Sequence, residues 1–130
     1  MSGVTIRVYD GVWSDETPPP LLCTLDANIE VHDAPAPDLL VEARLALSMS
    51  EKRWSTPSPS GEHLTVIIER DDCARPAQLD ITLAGGGIAF AFISGSDIIP
   101  VGVHVWLRDG TEAAQILSAV LDEYERSHDI

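Results

Sequence analysis

Alternation of apolar and polar residues with a period of two dominates the chain. It is clearest over residues 101–108, where Val101, Val103 and Val105 alternate with Gly102 and His104. The same pattern recurs over residues 4–9, 64–69, 79–83 and 88–93, and "LLCTLDANIEVH" supplies one more strand or a bent pair. A period of two is typical of strands with one buried face, so the pattern predicts an antiparallel sheet.

Residues 39–50 give two conflicting signals. Their composition, rich in Leu, Ala, Glu and Arg, favours a helix. Their pattern favours a strand, because apolar residues recur at every second position from Val41 to Met49. As a helix, the segment would be apolar on nearly every side. We therefore predict a strand over 39–50, with a helix as the alternative.

A helix is predicted at the end of the chain. Its apolar residues recur at steps of three and four and form one stripe: Ala113, Ile116, Leu117, Val120, Leu121 and Tyr124. Asp109 or Thr111 can cap its first turn, where Glu112 is also favourable. The stripe predicts a helix that covers one side of the sheet.

These elements predict a single globular domain over 1–130 of the α+β class, mainly β. Six to eight strands form a curved antiparallel sheet or small open barrel covered by one C-terminal amphipathic helix. The alternative is an antiparallel sheet with two helices. In layout, this order of many strands and then a final helix resembles the pleckstrin-homology-like architecture, but no family motif accompanies the likeness.

Three consecutive glycines, in "LAGGGIAFAFISG", permit either a phosphate-binding loop or a hairpin turn. A phosphate-binding loop leads into a helix, whose first amides bind the anion. Here an alternating, aromatic strand pattern follows Gly87, and no lysine follows the glycines. The glycines therefore predict a tight hairpin between two antiparallel strands.

Acidic residues outnumber basic ones by 21 to 8, which gives a formal net charge of −13. Such a surface repels nucleic acid and anionic membranes and attracts basic proteins. The chain has no apolar run long enough to cross a bilayer, and its N-terminus lacks the basic and apolar regions of a secretion signal. The sequence predicts a soluble, cytoplasmic protein.

Motifs for catalysis are missing from the sequence. Cys23 and Cys73 are too few for a disulfide framework, and no two histidines have the spacing of a local metal motif. Ser96, in "SGSD", lacks the nucleophile elbow of hydrolases. We therefore expect no cofactor, no metal and no enzymatic activity.

The candidate binding residues are aromatic or charged side chains, and several of the aromatic ones have charged neighbours in the sequence. Trp13 and Trp54 lie in predicted loops, where a tryptophan either covers the core or contacts a partner. The acids near the end of the last helix oppose its dipole, an unfavourable arrangement that hints at function. The candidates are Trp13, Asp15, Glu16, Trp54, His104, Trp106, Arg108, Asp122, Glu123 and Glu125.

The function predicted first is a non-catalytic, acidic protein-binding domain that docks on a basic protein; a bacterial immunity or inhibitor protein is one concrete form. The second is a small-molecule binder or enzyme that uses a cavity of the curved sheet, with His104 as its acid or base. The third is a structural subunit, including a homo-oligomer, with contacts through strand edges or through Phe90 and Phe92.

Overall fold

The computed structural model describes residues 2–29, 39–50, 54, 56, 58–59, 61–71, 76–84, 88–95, 98–106 and 111–128. These residues form six strands and two helices in the following order: β1 (Ser2–Asp10), β2 (Leu21–Ile29), α1 (Leu39–Ser50), β3 (His63–Arg70), β4 (Ala77–Ala84), β5 (Ile88–Gly95), β6 (Ile98–Trp106) and α2 (Ala113–His128).

The strands form one antiparallel sheet in the order β2-β1-β3-β4-β5-β6. The predicted antiparallel, mainly β architecture is therefore confirmed. The sheet is open, with β2 and β6 at its edges in the described part of the chain, so the barrel alternative does not describe it. Strands β4 and β5 are antiparallel neighbours with Ala84 opposite Ile88, as the hairpin prediction requires. The three glycines themselves, 85–87, lie outside the described residues.

Residues 39–50 form helix α1, so the prediction of a strand was wrong and the two-helix alternative holds. Among the described side chains of α1, the buried apolar ones are Ala43, Ala46 and Leu47, which have helical spacing. Leu45 and Met49 share the alternating pattern but are exposed. Apolar residues on both sides of the helix produced a false period of two. Because α1 follows β2, the layout also departs from strands followed by one final helix.

Both helices pack against the same face of the sheet, and that interface is the hydrophobic core. Strand residues at alternate positions meet the apolar stripe of α2 and the small face of α1. The strand side of the core consists of Val4, Ile6, Val8, Leu64, Val66, Ile68, Ala77, Leu79, Ile81 and Val105. The opposite face of the sheet carries no helix among the described elements.

The first turn of α2 is capped from a distant part of the chain. The hydroxyl of Thr56, which is 3% exposed, accepts a hydrogen bond of 2.7 Å from the backbone N–H of Ala114. The side chain of Gln115 accepts a second bond, 3.2 Å long, from the backbone N–H of Glu112. Two amides that the helix leaves unpaired are thereby satisfied. Asp109, one of the two predicted caps, lies outside the described residues.

We expect Thr56→Val to lower the free energy of unfolding by about 1–2 kcal/mol, since it keeps the shape but removes the acceptor from a buried N–H. Thr56→Ser keeps the hydroxyl and is the matched control. Urea unfolding of both variants measures the difference. Equal stabilities of the two variants would show that the hydroxyl does not cap α2.

Candidate functional site

The face of the sheet opposite the helices, called here the open face, carries the alternate strand residues. Residues directly opposite each other on paired strands share a face. On this basis Thr5 lies between Asp26 of β2 and Glu69 of β3. Thr65 of β3 is paired with Asp80 of β4. Three strands thus each place one carboxylate on the open face.

Arg7 is the one arginine or lysine on the described part of the open face. Its guanidinium lies 3.2 Å from Glu69, and both side chains remain partly exposed. Asp26 accepts a hydrogen bond from the hydroxyl of Thr5, at 2.8 Å, and Asp80 accepts one from the amide of Gln78, at 3.1 Å. These partners are neutral, so the open face keeps a net negative charge.

The loop of residues 11–20 folds over part of the open face. The hydroxyl of Thr65 donates a 2.9 Å bond to the carbonyl of Gly11, and Thr65 is 1% exposed although it lies on the uncovered side of the sheet. Gly11 has a φ of 139°, a conformation that favours glycine. The backbone N–H of Asp10 donates to the carbonyl of Pro20 at 2.8 Å and closes the loop. The loop therefore has a fixed position over β3.

Trp13 is held in place from two directions. Its ring packs edge to face against Tyr9, with centroids 5.1 Å apart. Its indole N–H donates a 2.9 Å hydrogen bond to Asp15, so this candidate acid positions the tryptophan. Glu16, the third loop candidate, is exposed. The structure thus brings Trp13, Asp15 and Glu16 beside the open face.

A groove of about 300 Å³ lies between this loop and strands β3 and β4. We call it the Trp13 groove. The residues that line it include Trp13, His63, Thr65, Gln78, Asp80 and Thr82. It combines the indole of Trp13, the carboxylate of Asp80 and the imidazole of His63 with hydroxyl, amide and apolar side chains.

A second cleft lies between the edge strand β6 and helix α2. This β6–α2 cleft has a volume of about 430 Å³ and brings together four candidates with Ala119 and Arg126: His104, Trp106, Asp122 and Glu123. Trp106 is 73% exposed, so it belongs to an exposed face and not to the core. Arg108 lies outside the described residues.

Two acids of α2, Asp122 and Glu123, have basic partners. Asp122 forms a 2.5 Å ion pair with Arg44 of α1, and Glu123 lies 3.2 Å from Arg126. Helix α2 extends to His128, so Asp122 and Glu123 precede its last turn and oppose the dipole less than the sequence suggested. The side chain of Glu125 lies outside the described part of the structure. The cleft is therefore closer to neutral than the open face.

Trp54 covers the core. It is half-buried, packs against the core cluster and donates its indole N–H to the sulfur of Cys23 at 3.0 Å. Burial raises the pKa of the Cys23 thiol, and the bond from Trp54 acts in the opposite direction but is the smaller effect. A raised pKa disfavours the reactive thiolate. Trp54 thus joins neither of the two surfaces.

Sequence reasoning missed Asp26, Glu69 and Asp80 as candidates. The alternating pattern already placed Glu69 and Asp80 on the polar sides of their strands. It gave no strand order, however, so it could not show that these acids share one face with Asp26 and the Trp13 loop. Only the strand order and register of the sheet would have shown that these acids share a face.

Among the described residues, His, Cys, Asp and Glu side chains form no group of three or more that could hold a metal ion. None of the helices in the described part of the chain has both the length and the apolar character needed to cross a membrane. Comparison of the chain with models of protein families, with curated proteins and with solved structures finds no match.

Proposed function

We propose that this chain is a non-catalytic protein-binding domain whose open face docks on a basic protein, with a bacterial immunity or inhibitor protein as one concrete form. One observation carries the proposal. Asp26, Glu69 and Asp80 are exposed on a sheet face that carries no helix among the described elements, and Arg7, already paired, is the one described arginine or lysine there.

Electrostatics on such a face favour rapid association. The formal net charge of −13 attracts a basic surface from a distance, and the open-face carboxylates orient it at short range. Exposed charges are screened over about 8 Å at physiological salt, so the attraction weakens as salt rises. The interaction should therefore depend strongly on ionic strength.

Trp13 is the aromatic side chain that we expect to contact the partner and to add binding energy beyond the attraction between charges. Interfaces gain most of their binding energy from a few aromatic and arginine residues near their centre. Tyr9 and Asp15 hold the ring in position, so little side-chain entropy is lost when a partner covers it. Asp80 lines the Trp13 groove together with Trp13, so one of the strand carboxylates and the aromatic contact share one part of the open face.

The small-molecule alternative has a cavity beside His104 in the β6–α2 cleft. The two carboxylates there, Asp122 and Glu123, are engaged with Arg44 and Arg126. A carboxylate that already pairs with an arginine is less available to bind a ligand or to pair with His104. This cleft is therefore the poorer candidate for the main site. The contact predicted through Phe90 and Phe92 falls on side chains outside the described part of the structure.

Capture from the source lysate tests the proposal with three baits: wild type, an open-face variant (Asp26→Asn, Glu69→Gln, Asp80→Asn) and a control variant on α2 and the residue before it (Glu112→Gln, Asp122→Asn, Glu123→Gln). Both variants lose the same charge, and the amides preserve side-chain shape. We expect wild type and control to retain the same basic protein at low salt and release it at high salt, while the open-face variant retains little. Equal retention by all three baits would refute the proposal.

A further inference from the structure

We infer that the Trp13 groove receives an arginine side chain of the basic partner, with the guanidinium stacked on the indole of Trp13 and paired with the carboxylate of Asp80. This inference rests on the proposed function and specifies the chemistry recognised at its centre. Both groups line the same groove. An aromatic face and a carboxylate are the two groups that a guanidinium binds best in proteins.

The aromatic side of the groove is preorganised. Trp13 is fixed by the edge-to-face contact with Tyr9 and by the hydrogen bond from its indole N–H to Asp15. Tryptophan is the strongest aromatic partner for a cation, and the attraction grows as the site loses water. Because Asp15 binds the indole nitrogen at the ring edge, this bond leaves the ring faces available for stacking.

The carboxylate of Asp80 can accept further hydrogen bonds. Its Oδ1 accepts one hydrogen bond, from Gln78, and its Oδ2 has no recorded partner among the described residues. An ionised carboxylate has about four acceptor positions, and it pairs with arginine through two parallel N–H···O bonds. Asp80 is exposed, so its remaining acceptor positions can be reached from solvent. The groove thus offers an anionic acceptor on the same lining as the aromatic ring.

The rest of the lining favours a donor-rich, compact group. Guanidinium has five N–H donors and no acceptor, and the exposed hydroxyl of Thr82 can accept a hydrogen bond. The volume of about 300 Å³ lies at the lower limit for small-molecule sites and suits a single side chain. Lysine would keep the charge, but it lacks the planar group that stacks on an indole and forms two bonds to one carboxylate.

Nuclear magnetic resonance of the full chain tests the inference, since the indole N–H groups of Trp13, Trp54 and Trp106 give one signal each. The probes are a tripeptide with arginine between capped glycines and the same peptide with lysine or citrulline, which is uncharged. We expect the arginine peptide to shift the Trp13 signal saturably, the lysine peptide to bind several-fold more weakly and the citrulline peptide not to bind. Trp54 and Trp106 should not respond.

Two single substitutions localise the effect. Asp80→Asn should weaken arginine-peptide binding at least fivefold, whereas Asp26→Asn, which removes the same charge from the same face, should weaken it less than twofold. Absence of a saturable Trp13 shift, an equal shift with citrulline, or equal effects of the two substitutions would overturn the inference.

The same results separate this inference from the proposed function. If the open face still retains a basic protein in a salt-dependent way but arginine does not reach Trp13, the groove inference fails and the proposed function stands. If the open-face variant retains the same proteins as wild type, the proposed function fails whatever the peptides show.

Discussion

Arg70→Met is expected to lower the free energy of unfolding by about 3–5 kcal/mol, because it leaves the carboxylate of Glu42 buried without its counter-ion. Arg70 ends β3 on the helix-covered face, and its guanidinium lies 2.5 Å from Glu42 of α1. The two side chains are only 7% and 11% exposed. Oε2 of Glu42 has no hydrogen-bond partner among the described residues, so its carboxylate depends on this arginine.

The control for Arg70→Met is Arg7→Met, which breaks the exposed Arg7–Glu69 pair and should cost less than about 1 kcal/mol. The double variant Glu42→Leu, Arg70→Met replaces both charges with apolar groups and should recover most of the loss. Urea unfolding gives all three values. A loss for Arg70→Met no larger than that for Arg7→Met would contradict the buried ion pair.

Leu117→Ala is expected to lower the free energy of unfolding by about 2–5 kcal/mol, since it removes three buried carbon atoms and leaves a cavity. Leu117 is fully buried in the stripe through which α2 packs on the sheet. Leu45→Ala, on the exposed side of α1, is the control and should change stability by less than about 1 kcal/mol. Similar losses for both variants, measured by urea unfolding, would contradict the observed packing of the helices.

Strands such as β3 and β4, and the last helix, could be predicted because their described side chains are buried on one face and more exposed on the other. In β3, for example, Leu64, Val66 and Ile68 are buried while Glu69 is exposed. An element with one buried face has a periodic pattern of apolar residues in its own sequence. This pattern can be identified without knowing which elements are its neighbours. The apolar stripe of α2 was readable for the same reason.

Helix α1 was mispredicted because its sequence does not record which side is buried. Over its described side chains, residues 42–50, the helix buries the small Ala43 and Ala46 together with Leu47 and exposes the larger Leu45 and Met49. Large exposed apolar side chains contribute more to a hydrophobic pattern than small buried ones do. The pattern therefore did not show which side of the helix is buried. The helix-favouring composition was the more reliable signal here, because propensity does not depend on which face is covered.

The candidate site could be predicted only in part because it depends on long-range pairing. Trp13, Asp15 and Glu16 are neighbours in the chain, and their common loop was visible in the sequence. Their proximity to Asp80 depends on the order of β1, β3 and β4, which no local pattern records. The pairing of Asp122 with Arg44, across two helices, was hidden for the same reason.

The most direct test of the account is the affinity of the captured basic protein for the open-face variant and for the control variant, measured by calorimetry at low and high salt. We predict that the open-face variant binds roughly tenfold to a hundredfold more weakly at low salt, because favourable long-range charge is lost where the partner docks. The control variant should bind within about threefold of wild type, since its lost charges lie away from the contact. Equal weakening of the two variants, or an affinity unaffected by salt, would contradict docking on the open face.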